Sequence, residues 1–408
     1  MNVFWFDELS SSKNNGIGTY RNILLPRLSK KPDIDLTLIS LNCDVLDLRF
    51  AEKDGYKEFI VPNIAGGEWR NNGALILPVL RQYIEDSTDN IFMLNHSPCN
   101  DFAKMLKELF PLSKVTFTIH DQAWCSTLLG SYDLLQQILV DGIKPDALST
   151  DAVEYVKQRA QQDIELFEMV DAVICLSETT RKVLAELYGI AKSKIHFIPN
   201  GYECSGTSRI EKSAVRRQLR LRDDEDVMLF VGRPSANKGI LPILLAMTKL
   251  LSSRPNLKCV FTGSPAGLSK FWHVAGEIAP NIICIGQVPH QELCKWYSAA
   301  DVGIIASYSE QCSYAALEMM EYGLPIVSSD GNGLCNMFTD GENACIAKIG
   351  NVFEPEPYAE NLAKAIERTL SSPEETKKRM ASTNHRLLSS KYSTNSMIDS
   401  YAQLLQTI

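Results

Sequence analysis

Short apolar runs alternate along this chain with longer segments whose apolar residues recur every three or four positions. In the first half, residues 3–6, 35–39, 59–61, 91–94, 115–119, 172–176 and 195–198 read as strands. Helical spacing follows residue 18, where Tyr20, Ile23, Leu24 and Leu28 recur, and again over about 73–85, 101–109 and 178–188. Residues 128–170 read as a mostly helical insertion. The same alternation restarts at 227–231, with further strands at 258–262, 282–285, 302–306 and from Ile326. Helices are expected over 240–251, 290–299, from Gln311 onward, 357–370, 373–388 and 394–405. Apolar strands alternating with amphipathic helices indicate parallel sheets covered on both faces, so the fold class is α/β. Pro199-Asn200-Gly201 is a strong turn signal, and residues 202–225 carry few hydrophobics, which places the linker between two domains there.

Composition narrows this picture. At 408 residues the chain exceeds one core, and two domains of roughly 200 residues are the natural division. The net charge of −8 argues against a broad nucleic-acid-binding surface. The start, M-N-V-F-W-F-D, lacks the pattern of a signal peptide. No stretch reaches the ~20 apolar residues that span a bilayer, so no transmembrane segment is expected; peripheral contact through a local basic patch stays open. The 11 cysteines are scattered without a C-x-x-C pair, and the 6 histidines show no ligand spacing. Both argue against a metal site, and the cysteine pattern reads as cytoplasmic. Oligomeric state is not legible.

The candidate chemistry concentrates where strands end, since ligands of such sheets gather at the strands' carboxyl edge. The stretch 307–329 reads S-Y-S-E-Q-C-S-Y-A-A-L-E-M-M-E-Y-G-L-P-I-V-S-S. A helix starting near Gln311 puts Glu310 at its mouth and Glu318 about two turns in, so that both acids can meet one extended ligand. The plainer reading is an acid favouring a helix N-terminus and a surface residue; the apolar neighbours of Glu318 favour a held carboxylate. Arg233 and Lys238 flank the loop 232–239 after a strand, as diphosphate ligands or as solvated loop cations. The P-loop spacing is absent. Gly263-Ser264 and 286–289 end two neighbouring strands. In the first half, Gly16 and Gly18 follow the first strand and fit either an anion loop or a packing turn. Asn95-His96 and His120-Asp121 end two others. Asp121 caps a turn or orients His120, and Trp124 is a packing anchor or a platform for a sugar ring.

In this order and spacing, G-I-G, T-I-H-D, I-P-N-G, V-G-R-P-S-A-N-K-G and E-x7-E with its trailing Y-G-L-P-I-V resemble the family 4 retaining glycosyltransferases across nearly the whole chain. The resemblance implies a GT-B fold, in which two Rossmann-like doubly wound parallel-sheet domains face each other across a cleft. It implies an acceptor domain over 1–204, a nucleotide-sugar domain over 205–387, and a C-terminal helix over 388–408 returning to the first. It implies a metal-independent transfer from a nucleotide-sugar, a UDP-sugar first, to a carbohydrate, peptide or protein acceptor, with no cofactor. Arg233 and Lys238 match the pair that holds the diphosphate, and Glu318 matches the ribose ligand. Glu310 matches the acid at the donor sugar, and His120 the histidine beside it. Gly16 and Gly18 match the loop over the phosphates, and backbone near Val288 holds the base. Many relatives read E-G-F-G from the first acid where this chain has Glu310-Gln311-Cys312-Ser313, so the segment Gln311, Cys312, Ser313 and Tyr314 is expected to bear on the donor sugar. Gly263 joins the donor loops, and Asn95, His96, Asp121 and Trp124 are expected on the acceptor side. The same fold also admits an inactive GT-B subunit serving as partner or chaperone of another transferase, and a sugar-nucleotide epimerase or phosphorylase.

Overall fold

All strands but one of the first sheet run parallel, and the buried apolar runs supply them. The computed structural model describes residues 1–8, 16–53, 55–63, 73–95, 99–204 and 211–408. The first sheet contains β1 (Asn2–Glu8), β2 (Asp35–Cys43), β3 (Arg49–Lys53), β4 (Tyr56–Pro62), β5 (Asn90–Leu94), β6 (Lys114–Ile119), β7 (Ala172–Cys175) and β8 (Ile195–Phe197), in the order β3-β4-β2-β1-β5-β6-β7-β8. β5 and β7 are buried at every position, as strands covered on both faces must be. β3 was not expected. It falls in the exposed class at every position and runs antiparallel to β4, and with Phe50 its one large apolar residue it carries no apolar period to read.

The helices in this half of the chain are α1 (Gly16–Leu28), α2 (Gly73–Leu80), α3 (Asn100–Leu109), α4 (Trp124–Thr127), α5 (Tyr132–Leu139), α6 (Thr150–Met169) and α7 (Glu178–Lys182), the last running into a π-helical turn at Val183–Leu187. The expected single insertion over 128–170 is thus broken into separate helices. Ser149 caps α6, its side chain accepting from the Ala152 N–H at 3.1 Å.

The second sheet is wholly parallel: β9 (Val227–Val231), β10 (Lys258–Thr262), β11 (Ile282–Gly286), β12 (Val302–Ile305), β13 (Ile326–Ser329) and β14 (Cys345–Ala347), in the order β11-β10-β9-β12-β13-β14. Its helices are α8 (Lys212–Gln218), α9 (Ile240–Leu250), α10 (Trp272–Ala275), α11 (His290–Ala299), α12 (Tyr314–Glu321), α13 (Pro355–Leu370) and α14 (Glu374–Ser389). Ile240, Ile243, Leu244, Met247 and Leu250 line one face of α9, and Tyr358, Leu362 and Ile366 one face of α13. Both faces join Met228, Phe230, Phe261 and Ile304 of the sheet in one core.

The contacts divide the chain into residues 1–124, 134–203 and 392–408 on one side, and 125–133 with 204–391 on the other. The last helix, α15 (Thr394–Thr407), therefore belongs with the first sheet. It is tied there by Tyr202 N–H donating to Tyr392 O at 2.7 Å and by a hydroxyl contact between Tyr20 and Tyr401. The segment 125–133, expected with the first domain, groups with the second. Leu129 packs on that core, and Gly130 lies so close to Ser309 that a Cβ would sit 2.6 Å from its side chain.

Candidate active site

In the second sheet β9 lies between β10 and β12, so the chain leaves β9 toward one side and returns at β12 on the other. Such a switch point opens a crevice at the strands' carboxyl ends. The loops after β9 and β12 carry Lys238 and Glu310, and the structure joins them. Lys238 Nζ donates to Glu310 Oε1 at 2.5 Å, and Ser307 Oγ donates to the same oxygen at 2.7 Å. Backbone sets the register: Tyr308 N–H donates to Asn237 O at 2.9 Å, and Glu310 N–H to Asn332 O at 2.9 Å. Tyr358, from α13, donates its hydroxyl to Ala306 O at 2.9 Å and anchors the end of β12.

Two glycines permit this packing. Gly239, the N-cap of α9, has φ +70°, and a Cβ there would stand 2.1 Å from Ala306 O. Gly263, after β10, has φ +111°, and a Cβ would stand 2.3 Å from Gly232 O. Gly263 thus serves close approach of two loops, which only glycine allows. Arg233 is exposed on the same loop as Lys238, with no acid paired to it among the described residues. Val288 lies half-buried between β11 and α11.

The helix expected from Gln311 begins three residues later. Ser313 is the N-cap of α12, its Oγ accepting from Ala316 N–H at 3.3 Å. Before it, Glu310 N–H donates to Asn332 O, beside a short bridge that pairs Ser309 with Asn332. The side chain of Ser313 is thus turned back into the cap. Gln311 and Cys312 are buried and Tyr314 is half-buried. Glu318 lies within α12 with 15% of its side chain exposed. Its Oε2 accepts the Tyr297 hydroxyl at 2.5 Å, and His290 Nε2 stands 3.9 Å from Oε1. Burial pushes the Glu318 carboxyl above its ordinary range, with the Tyr297 hydrogen bond and His290 opposing. Tyr297 and His290, both on α11, were not legible as partners of Glu318. Ser307, three residues before Glu310, was legible only as a neighbour in sequence.

In the first unit, β1 lies between β2 and β5, which makes a second switch point. His120 emerges at the end of β6, half-buried, its ring edge-on to Tyr20 of α1 at 4.9 Å. Tyr20 in turn meets Tyr401 of α15, so the C-terminal helix supports the ring that supports His120. Asp121 Oδ1 accepts Gln122 N–H at 2.9 Å, a turn contact. Beneath this loop Asp163 of α6 is buried, with Tyr188 Oη 3.3 Å from its Oδ2, and burial lifts its carboxyl to about 7. Asn95 is buried rather than open to an acceptor; its Nδ2 donates to Met93 O at 3.2 Å and, more weakly, to Phe6 O at 3.5 Å. Trp124 is wholly buried, so its ring is a packing anchor and offers no face to a sugar. Gly16 is the exposed first residue of α1 and Gly18 is buried within it. The loop before them, residues 9–15, and His96 lie outside the described residues.

Two doubly wound parallel units, each with charged or titratable groups at its carboxyl edge, make this a GT-B protein. Sucrose-phosphate synthase from Thermosynechococcus elongatus superposes with a TM-score of 0.77 at 18% identity, covering 100% of this chain and 98% of its own. Anabaena HepE, solved with UDP and glucose, gives 0.71 at 15% identity over 100% of both chains. At such identities the likeness is one of fold. The family follows from sequence: the model of Glycosyltransferase Family 4 matches residues 15–205, and that of Glycosyl transferases group 1 matches residues 211–386. The chain belongs to the family 4 glycosyltransferases. It is similar to D-inositol 3-phosphate glycosyltransferases from Streptosporangium roseum, 27% identical over 215 residues, 50% of this chain and 49% of that one. The relative from Acidothermus cellulolyticus is 27% identical over 269 residues, 61% of this chain and 59% of that one. The chain thus spans about half the length of the curated relatives it matches. Among the described residues no helix is long and apolar enough to cross a membrane.

Proposed function

We propose that this protein transfers a sugar from a nucleotide-sugar, a UDP-sugar, to a hydroxyl of a carbohydrate, peptide or protein acceptor in the cytoplasm, with retention at the anomeric carbon. The observation that carries this reading is the meeting of Lys238 and Glu310 across the β9/β12 switch point, with Arg233 on the same loop. A diphosphate entering there exchanges one anionic partner of Lys238 for another, and Arg233 adds a second cation. As the bond between the anomeric carbon and the β-phosphate oxygen breaks, negative charge grows on the leaving phosphate. Arg233 and Lys238 stabilise it as fixed charges, the part a divalent ion plays in other transferases. The acceptor oxygen bonds to the same face of the anomeric carbon, and its proton passes to the leaving phosphate. Glu310, released from Lys238, accepts hydrogen bonds from the sugar's hydroxyls, Glu318 holds the ribose, and backbone near Val288 meets the base. Gly16 and Gly18 are assigned to the phosphates, and His120 and Asp121 to the transfer step and the acceptor.

The test is a panel of UDP-, GDP- and ADP-sugars, with donor hydrolysis and transfer followed in the presence of a chelator. Turnover of a UDP-sugar that survives chelation is expected. Binding without turnover of any donor would favour a non-catalytic subunit, and no binding at all would refute the reading.

A further inference from the structure

Glu318 does not stand alone at the α12 end of the site. Its two oxygens have different surroundings: Oε2 is taken by the Tyr297 hydroxyl at 2.5 Å, while Oε1 faces His290 Nε2 across 3.9 Å. That gap is too wide for a hydrogen bond, which needs about 2.7–3.2 Å. It admits one intervening oxygen at ~2.8 Å from both ends, its two hydrogen bonds meeting at about 90°. A thiol stands on the far side of the imidazole. Cys294 Sγ lies 3.5 Å from Nδ1, one helical turn along α11. With the thiol donating to Nδ1, the ring proton resides on Nε2 and is directed at the gap. His290 is two residues beyond Val288, in the turn assigned to the base, and half of its side chain is exposed to an arriving ligand.

We propose that His290 is a ribose-binding residue: Nε2–H donates to one ribose hydroxyl of the donor nucleotide, and that hydroxyl donates to Glu318 Oε1. Every donor and acceptor from Cys294 to Glu318 is then matched, and the bracketed group must be both donor and acceptor, which a hydroxyl is and a hydrogen is not. The pair therefore reads ribose against deoxyribose. This assignment rests on the nucleotide-sugar reading given above.

The experiment is calorimetric titration of the full chain with UDP, 2′-deoxy-UDP and 3′-deoxy-UDP, in the natural protein, His290→Ala and His290→Gln. The natural protein is expected to bind one deoxy analogue about 30- to 100-fold more weakly than UDP, the effect of two hydrogen bonds with one to a charged acceptor. His290→Ala should bind UDP about 5- to 10-fold more weakly, and its penalty for that same analogue should shrink by the same factor. His290→Gln, which keeps a donor of similar reach, should recover part of both. If the natural protein binds UDP and His290→Ala keeps the full deoxy penalty, His290 does not touch the ribose and the donor reading stands. If the natural protein binds none of UDP, GDP and ADP, both fall.

Discussion

Replacing Lys238 by alanine separates the two things this residue does. In the structure it neutralises Glu310 at 2.5 Å, and at an effective dielectric near 20 two unit charges that close attract by roughly 6–7 kcal/mol before desolvation is counted. Their side chains are 27% and 16% exposed, so water offsets much of that attraction, and Glu310 keeps Ser307 as a donor. Exposed pairs contribute about 0–1 kcal/mol, and orphaning a buried partner costs about 3–5, so Lys238→Ala should destabilise the fold by about 1–3 kcal/mol. The effect on reaction is larger, because charge on the leaving phosphate grows toward the transition state. A lost donor to such a charge costs about 10²–10³ in turnover, and the ground-state contact to the diphosphate a further tenfold or so in affinity. Chemical denaturation, UDP titration and initial rates with the best donor measure the three separately. Glu310→Gln is the control: it frees Lys238, so UDP should bind at least as tightly as in the natural protein while turnover falls. Turnover by Lys238→Ala within about threefold of the natural protein would refute the phosphate role, since no donor of that kind is worth so little.

Histidine 120 is tested by substitution with alanine, which should lower turnover by about 10²-fold or more while UDP affinity holds; a loss confined to affinity would contradict its assignment to the transfer step. Asp163 predicts a pH dependence. Its folded carboxyl titrates near 7, above the ordinary 3.8, because burial disfavours the charge that Tyr188, Arg159 and the Gln122 amide favour. The native state therefore holds its proton where the unfolded chain has released it, and the associated stability, on the order of 4 kcal/mol at most, is present below pH ~4 and lost as pH rises through 7. Asp163→Asn should flatten that slope in urea midpoints taken from pH 5 to 8. Tyr401→Phe removes the hydroxyl shared with Tyr20 and should cost about 1–2 kcal/mol in the same assay. Gly239→Ala must place a Cβ 2.1 Å from Ala306 O at φ +70°, so it should destabilise by more than ~1 kcal/mol and weaken UDP binding through Lys238 next to it.

What could be read in the sequence was what apolar period and turn residues encode. The parallel sheets, α9 and the last three helices follow from buried faces recurring at fixed spacing, and they fall within a few residues of expectation. β3 escaped because an exposed edge strand has no buried face to pattern it. The start of α12 was misplaced for a different reason. The local signal was Ser313, an N-cap residue whose Oγ accepts from Ala316 N–H, and Glu310 before it is bonded to Asn332, more than twenty residues on. Trp124 and Asn95 misled in the same direction, since an aromatic or amide after a strand has the same letter whether the fold buries it or not.

Strand order explains why the site was half legible. Each charged residue could be assigned to a strand end from its own neighbourhood, because a short apolar run followed by glycine or polar residues marks the carboxyl edge. Which edges adjoin is a property of topology, and β9 and β12 are more than seventy residues apart in sequence while adjacent in the sheet. That adjacency turns Lys238 and Glu310 from two loop residues into an ion pair. On the function proposed above, the cation assigned to phosphate is held against the acid assigned to sugar. On that reading a nucleotide-sugar would replace both partners at once, anion for Lys238 and hydroxyls for Glu310, whereas a free sugar would replace only the second and inorganic phosphate only the first. Separating the pair thus costs least for a ligand carrying both groups, which is a selectivity built from charge arrangement rather than from the shape of either subsite.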